Sequence, residues 1–177
     1  MAITSTDIKL KLSTTAGSAG NSNAGTVGAS LGKYVSTTEV VGTQNDLFPD
    51  ITGAENAGSQ VDYACVFVHN AHATLTLQQA KVYLSAEAAG GASIAIGVDP
   101  TAASAVGSAS AQAVTIASDT TAPAGVAFSS PTTTGAALSL GDIGPGQVKA
   151  FWVRRTAGNT APQANDGVTF TVFGDTL

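Results

Sequence analysis

Two histidines and one cysteine are the residues of this 177-residue chain whose types could hold a metal ion or act as a nucleophile with its base. His69 and His72 have H-x-x-H spacing, and Cys65 precedes His69 by four residues. A zinc site needs three or four ligands in a fixed geometry, and a cysteine nucleophile needs a base beside it. Strand alternation turns Cys65 toward the presumed core, so we expect its thiol to be buried. The two histidines are then interpreted as one residue at a strand end and one in a turn. No metal site and no cofactor are predicted.

The carboxylates are scattered along the sequence and match no known catalytic or ion-binding pattern. The chain contains no D-x-D-x-D-G calcium loop, no G-x-S-x-G elbow and no G-x-x-x-x-G-K-[ST] phosphate loop. A glycoside hydrolase would need two carboxyl groups roughly 5–10 Å apart across a cleft, and the spacing supplies no such pair. The sequence therefore predicts no catalytic residues and a protein that is not an enzyme.

Arg154 and Arg155 are adjacent in a chain whose charged residues make up only 11%. Consecutive side chains of a strand point to opposite faces. We expect one arginine to lie over the aromatic pair Phe151–Trp152 or to bind a carboxylate, and the other to face solvent or a partner subunit. Two interpretations remain open: an interface anchor, or a surface charge plus one structural ion pair.

The composition excludes several classes of protein. Charged residues are fewer than half of the usual share of about 25%, and small, β-tolerant and turn-forming residues dominate. This argues against a helical bundle, a coiled coil and a charged disordered tail. With a net charge of −5 and seven basic residues, no nucleic-acid partner is expected. No apolar run approaches the roughly 20 residues of a membrane span, so no membrane partner is predicted. The start shows no signal peptide, and a single thiol is compatible with folding in the cytoplasm.

Alternating and β-branched segments predict eight or nine strands separated by turns. Val61–Asn70 is the clearest, and because both of its parities are apolar it should be central and covered on both faces. Thr74–Ala86 is predicted to pair back on it as a hairpin, with a β-bulge near Gln78–Gln79. With no convincing helix, this spacing indicates an all-β antiparallel sandwich of jelly-roll or immunoglobulin-like type with an extended N-terminal segment. The other predicted strands are Thr6–Leu12, Ser93–Asp99, Gln112–Ala117, Gly125–Ser129, Ala136–Leu140, Gln147–Thr156 and the segment from Val168 to Val172, and Leu31–Val41 is interpreted as one further, irregular strand.

The chain is predicted to form a single domain in which residues 1–46 supply an N-terminal strand and a flexible arm, and residues 47–177 supply the sandwich body. In the first strand, Lys9 and Lys11 alternate with apolar residues. They form a positively charged, solvent-exposed face, which is typical of a strand at the edge of a sheet.

The stretch Ser13–Ser30 contains almost no large apolar side chain that could contribute to a core, so a flexible loop is the simplest interpretation. An arm that orders against a neighbouring subunit is the alternative. This stretch and the loop Thr101–Ala111 are candidates for partner contacts. The candidate interface residues are Lys9, Lys11, Asn21, Asn23, Arg154 and Arg155.

Three groups of strand and turn segments resemble those of a known group of proteins. They lie between roughly Leu47 and Asp175. They are Leu47–Glu55 followed by Asp62–Asn70, then Leu75–Leu84, and finally Leu140–Gln147 with Phe151–Arg155. Together they resemble structural proteins of tailed bacteriophages. The resemblance implies a non-enzymatic virion component, most specifically a head decoration (cement) protein.

Such decoration proteins bind the outside of the capsid lattice and connect neighbouring major capsid subunits. For this chain the resemblance implies contacts with the major capsid protein and with copies of itself. It also implies a homo-oligomer on the capsid surface of the virion, assembled in the host cytoplasm. A tail, neck or fibre-associated module that binds a host surface is the alternative, and exposed aromatic residues for sugar stacking would favour it.

Overall fold

The computed structural model of the chain describes residues 2–19, 22–163 and 166–176. Within these residues, nine strands form two antiparallel sheets that pack together as a β-sandwich, so the predicted fold class is confirmed. The strands are β1 (Ile8–Thr14), β2 (Tyr34–Glu39), β3 (Val61–Asn70), β4 (Leu77–Glu87), β5 (Ser93–Val98), β6 (Ser104–Ala105), β7 (Leu138–Ile143), β8 (Gln147–Thr156) and β9 (Val168–Thr176).

One sheet has six strands and the other has three. The larger has the order β2-β1-β3-β8-β5, with the short β6 also paired to β8, and the smaller has the order β7-β4-β9. β3 and β8 are central in the larger sheet and both of their faces are buried. Val66 and Phe151 lie in the core between the sheets, and Cys65, Phe67 and Trp152 lie in a second core on the outer face. The prediction that Val61–Asn70 is central and covered on both sides is confirmed.

Irregular chain, and not a third sheet, covers that outer face. The strands predicted at Gln112–Ala117 and Gly125–Ser129 are wrong, since each segment forms only one isolated β-bridge and no strand. Their alternating apolar residues pack on the sheet without a ladder of backbone hydrogen bonds, which sequence periodicity by itself does not reveal. The two bridges join Gly32 to Thr115 and Ile96 to Ser129.

The chain crosses from one sheet to the other after β3, so the predicted hairpin between β3 and β4 is wrong. Asn70, at the end of β3, is completely buried. Its Nδ2 donates to the carbonyl oxygens of Leu75 and Ile143 at 2.8 and 2.9 Å. Its own carbonyl oxygen accepts from the amide of Gly146 at 2.9 Å. This one side chain therefore fixes both the connection from β3 to β4 and the turn from β7 to β8.

The β-bulge predicted at Gln78–Gln79 is confirmed. Gln79 has a φ of 49°, and the register of β4 against β7 shifts between Leu77 and Ala80. The exposed bulge amide of Gln79 donates to Asp142 Oδ1 at 2.8 Å. The shift brings Leu77 and Ala80 onto the same buried face, as their burial shows.

One short α-helix, α1 (Gly53–Ala57), and a 3-10 helix (Thr134–Ala136) are present although no helix was predicted. The signal for α1 is a capping box: Thr52 accepts from the amide of Glu55, and Glu55 accepts from the amide of Thr52. This T-x-x-E spacing is readable in sequence, but the helix buries no residue, so no apolar periodicity accompanies it.

Replacing Gly32 by alanine should destabilise the protein far more than replacing Gly42. Both glycines have a left-handed φ, of 88° and 82°, so both variants incur about 1 kcal/mol of backbone strain. A Cβ at Gly32 would also lie 1.8 Å from the carbonyl oxygen of Val114, whereas nothing lies within 4 Å at Gly42. We expect a loss of about 3 kcal/mol or more for Gly32→Ala, measured by urea denaturation followed by circular dichroism. Equal losses in the two variants would contradict the close packing of the outer layer.

Candidate functional site

A buried aspartate at the end of β5 anchors the irregular layer to the larger sheet. Asp99 has no exposed surface. Its Oδ2 accepts from Trp152 Nε1 at 2.8 Å and from the amide of Val114 at 2.9 Å, and its Oδ1 accepts from the amide of Thr101 at 2.8 Å. Lys149 Nζ donates to the carbonyl oxygens of Asp99, at 2.7 Å, and Thr101. The carboxylate therefore acts as a structural anchor, with its hydrogen bonds directed to the protein itself.

Burial governs the titration of two groups close to this anchor. Desolvation lowers the pKa of Lys149, and the charge of Asp99 opposes that shift. Burial raises the pKa of the Cys65 thiol well above its ordinary value, and the charge of Asp99 acts in the same direction. Because the thiolate is the nucleophilic form, Cys65 is a core residue and not a reactive one.

Arg155 points toward the core between the sheets and is held by its neighbours. Its Nη2 lies 2.7 Å from Asp62 Oδ2, and the two side chains are only 11% and 5% exposed. Its Nη1 donates to the carbonyl oxygen of Pro49 at 2.6 Å, and its guanidinium carbon lies 4.6 Å from the centre of the Phe48 ring. Arg155 thus fastens the loop before α1 to the centre of the larger sheet and presents little surface to a partner.

Arg154 points to the opposite face, as strand geometry predicts. Its guanidinium carbon lies 5.3 Å from the centre of the Phe128 ring, which itself packs at 5.5 Å against Tyr63. Its Nε is buried and has no hydrogen-bond partner. In the described part of the chain, no carboxylate pairs with it. Of the two arginines, Arg154 is therefore the one whose charge is available to a partner.

Lys9 and Lys11 do not lie at a sheet edge, because β2 pairs with the outer side of β1. Their expected role in protecting an edge is therefore wrong. Lys9 Nζ lies 2.7 Å from Glu39 Oε1 on β2, and this hydrogen bond lowers the pKa of Glu39. Lys11 stands opposite Glu39 in the strand register. The three side chains form a half-exposed charged patch on the outer face.

His69 belongs to the same patch, opposite Lys9 in the register of β1 and β3. Its Nδ1 is buried without a hydrogen-bond partner. Burial lowers the pKa of His69, and the charges of Lys11 and Lys9 lower it further, against a smaller effect of Glu39. No conventional site results, since no carboxylate bonds to Nδ1 of this ring and the described residues group no three metal-ligating side chains around it.

His72 has a separate, structural role in the loop after β3. Its Nδ1 accepts from the amides of Thr74 and Leu75 at 3.2 and 3.0 Å. The H-x-x-H spacing therefore does not bring the two imidazoles to one site. Among residues 2–19, 22–163 and 166–176, no three His, Cys, Asp or Glu side chains are grouped to hold a metal ion.

The Ser13–Ser30 stretch folds back on the body at both of its ends. Ser13 and Ser30 are buried and their Oγ atoms lie 3.0 Å apart, while Ser30 Oγ donates to the carbonyl oxygen of Cys65 at 2.6 Å. The carbonyl oxygen of Asn23 accepts from the amide of Thr37 on β2 at 2.9 Å. Asn21 lies outside the described residues.

The loop predicted at Thr101–Ala111 contains β6, which pairs with β8. Just after β6, Val106 is 42% exposed, which is unusual for a large apolar side chain here. The buried Gln112 closes the loop: its Nε2 donates to the carbonyl oxygen of Ala105, and its Oε1 accepts from the amide of Val35. The loop is therefore pinned at its base and exposed near Val106.

The outer edge of β9 lies along a trough that opens between the two sheets. In the described residues β9 pairs only with β4, so its other edge has no strand partner. Two clefts, of about 400 and 1110 Å³, lie beside it and share Leu10 and Phe170 as lining residues. The smaller is also lined by Ile8 and Val172, and the larger by the loops before α1 and after β8. No sequence pattern could predict this trough, because its two walls are over 100 residues apart in the chain.

The sequence also does not show which residues Asp99 and Arg155 contact. The partners of Asp99 and Arg155 are 53 and 93 residues distant. The Asp99-Pro100 pair marks a turn, and a single Trp hints at a core, but neither feature identifies a partner. Only the strand register brings Asp99 beside Trp152.

Asp99→Ala should cost about 3–5 kcal/mol of folding free energy, because it leaves the buried N–H groups of Trp152 and Val114 without their acceptor and removes the negative charge beside Lys149. Asp119→Ala is the matched control: this aspartate lies in the same irregular layer, and its carboxylate forms no hydrogen bond in the described residues. We expect that control to remain within about 0.5 kcal/mol of wild type. Chemical denaturation followed by far-ultraviolet circular dichroism measures both. Similar small losses in the two variants would show that Asp99 is not an anchor.

The pKa of His69 in the folded protein should lie below its ordinary value of 6.5. The unfolded chain then binds the proton more readily, so His69 contributes a loss of stability as the pH falls from 6.5 through the folded pKa. Lys11→Gln should raise the pKa of His69, whereas Lys81→Gln on the other sheet should not. The Hε1 chemical shift of His69, followed by NMR against pH, measures this pKa. An unchanged value in Lys11→Gln would contradict the electrostatic coupling.

Comparison with known proteins identifies no relative of this chain. No protein-family model matches the chain, and neither a curated protein nor a solved structure matches it. In the part of the chain that the structure describes, no helix has both the length and the apolar character to cross a membrane.

Proposed function

We propose that this protein is a non-enzymatic structural component of a tailed-bacteriophage virion, most specifically a capsid decoration protein. It binds the major capsid protein and copies of itself on the outer capsid surface and stabilises the shell. The resemblance of the segments between Leu47 and Asp175 to phage structural proteins supports the phage assignment.

The observation that carries the proposal is the pairing of an unpartnered strand edge with an apolar trough, on a surface with few charges. Leu10 and Phe170 line the trough, and β9 offers backbone groups along its edge. Such an edge is a ready template for another chain. A surface of this kind suits contact with protein.

The charged groups at the centre of the molecule support the same view. Arg155 and Asp62 neutralise each other, and Asp99 accepts hydrogen bonds from three residues of its own chain. These groups stabilise the fold, which is the role expected in a rigid connector. The available charge of Arg154, stacked on Phe128, is suited to anchor a contact on the outer face.

Stabilisation of a shell needs many modest contacts and no chemistry. An interface of standard size buries roughly 800 Å² per partner. Repetition over a symmetric lattice, with each copy bound to more than one subunit, converts modest single contacts into high avidity. Each bridge then adds resistance to rupture of the shell by the packaged DNA.

A tail, neck or fibre-associated module is the second candidate, and one pair of aromatic side chains on the surface bears on it. Tyr83 and Phe173 lie half-buried on the outer face of the smaller sheet, with ring centres 6.0 Å apart. Their planes meet at 81°, so the rings do not form a single flat platform for a sugar. This geometry favours protein contact over glycan stacking.

The purified protein should co-sediment with expanded, undecorated shells assembled from the major capsid protein of the same genome. Arg154→Gln should weaken this binding about tenfold, as expected for an interface anchor worth more than about 1 kcal/mol. Lys81→Gln, which removes one positive charge from the other sheet, is the matched control and should bind like wild type. Absence of co-sedimentation by the wild-type protein would refute the capsid role. Binding to host cells in its place would favour the tail or fibre alternative.

A further inference from the structure

The free edge of β9 lacks the features that usually prevent strand addition. Natural edges carry lysines, prolines, bulges or inward-pointing charges. Residues 168–174, with the sequence VTFTVFG, contain no charge and no proline. Val168, Phe170 and Val172 turn inward to the core, while Thr169 and Thr171 turn outward. The strand is therefore regular enough to serve as a template over most of its length.

The trough beside this edge has space for one extended segment and not for a second folded sheet. The N-terminal residues Ile3, Thr4 and Ser5 line the smaller cleft opposite the end of β9. The loop before α1 lines the larger cleft opposite its beginning. Both walls stand in the path of a neighbouring sheet that would pair edge to edge. A single strand entering along the trough would instead contact Leu10 and Phe170 with alternate side chains.

The charge of the larger cleft indicates what such a segment carries. Asp46, Asp50 and Asp166 line it, and Arg155, the one cation among the lining residues that the structure describes, is already neutralised by Asp62. Basic side chains on the solvent-facing positions of an added strand would complement these carboxylates. The preferred occupant thus alternates apolar residues with lysine or arginine.

The lysines and arginines of the chain itself lie in or beside β1, β2, β4 and β8, which already pair within the two sheets. The Ser13–Ser30 stretch contains no lysine or arginine. Ile8–Leu12 has the right alternation, but it already pairs with β2 and β3 inside the larger sheet. The occupant must therefore come from a different protein.

We propose that the trough between β9 and β1 binds one extended, lysine- or arginine-bearing segment of another protein, which adds to β9 as a strand. The inference rests on the proposed function in one respect: on a capsid, the donor of this segment is the major capsid protein. The binding chemistry itself does not depend on that assignment.

The test uses the full-length protein and three fluorescein-labelled peptides. TKVKVKVT carries the expected pattern, TEVEVEVT reverses its charge, and TKVKPKVT places a proline where a strand needs regular backbone pairing. We expect fluorescence anisotropy to show at least tenfold tighter binding of the lysine peptide than of either control. Hydrogen exchange should show slower exchange in residues 168–174 when that peptide is bound.

Asp50→Asn provides a test within the protein. Its carboxylate is exposed and accepts one side-chain hydrogen bond, from Asn45 at 2.9 Å, so the fold should tolerate the change. We expect at least threefold weaker binding of the lysine peptide, whereas Asp119→Asn, in the layer on the outer face of the larger sheet, should have no effect. Equal binding of the three peptides, or protection of other strands only, would overturn the proposal. So would self-association with protection of β9, since the occupant would then be a second copy.

The outcome can be separated from that of the shell experiment. If shells do not co-sediment but the lysine peptide binds at β9, the decoration role fails and the binding site stands. If shells bind while residues 168–174 exchange as fast as in the free protein, the site fails and the decoration role stands.

Discussion

The structure depends on the need to cover both faces of the central strands. β3 and β8 carry apolar side chains on both faces, so both faces of these two strands must be shielded from water. The smaller sheet covers one face with regular secondary structure. The other face is covered by irregular chain, which cannot satisfy its backbone polar groups through a sheet ladder. Buried polar anchors are therefore necessary on that side.

Asp99 and Gln112 are two buried polar anchors of this irregular layer. Because their hydrogen bonds hold it against the larger sheet, few charged residues are needed for that purpose. Asp99 accepts from the amides of Thr101 and Val114 and from the indole of Trp152. Gln112 accepts from the amide of Val35 at the start of β2. Ser13 and Ser30 act in the same way for the segment that precedes β2. Short polar side chains replace the hydrogen bonds that a third sheet would have supplied. The small-residue composition of the chain follows from this role, because the layer lies close to the sheet.

The difference between the two sheets also creates the trough. In the residues that the structure describes, the larger sheet has six strands and the smaller three, and the smaller sheet ends at β9 without a further partner. Loops and the N-terminal residues close the sides of this opening but leave Leu10 and Phe170 reachable. A protein that acts by contact needs such a reachable apolar surface, held by a rigid body. The internal ion pair of Arg155 and Asp62 supplies that rigidity beside the trough.

Local alternation along the chain was enough to predict several features of the fold. Val61–Asn70 was recognisable as a central strand because both of its parities are apolar. The bulge at Gln78–Gln79 was recognisable because the core-facing parity of β4 changes there. The opposite directions of Arg154 and Arg155 follow from the pleat of any strand. An antiparallel β-sandwich could be inferred from these regularities and from the turn spacing.

The pairing of the strands and the contacts between side chains depend on segments that are distant in the chain. The chain after β3 crosses to the other sheet because Asn70 binds carbonyl groups of two distant segments, and no local pattern encodes that choice. The same holds for Asp99 with Trp152, for Arg155 with Asp62, and for the trough between β1 and β9. These contacts join residues far apart in the chain, whereas periodicity reports only which way each side chain faces within its own strand.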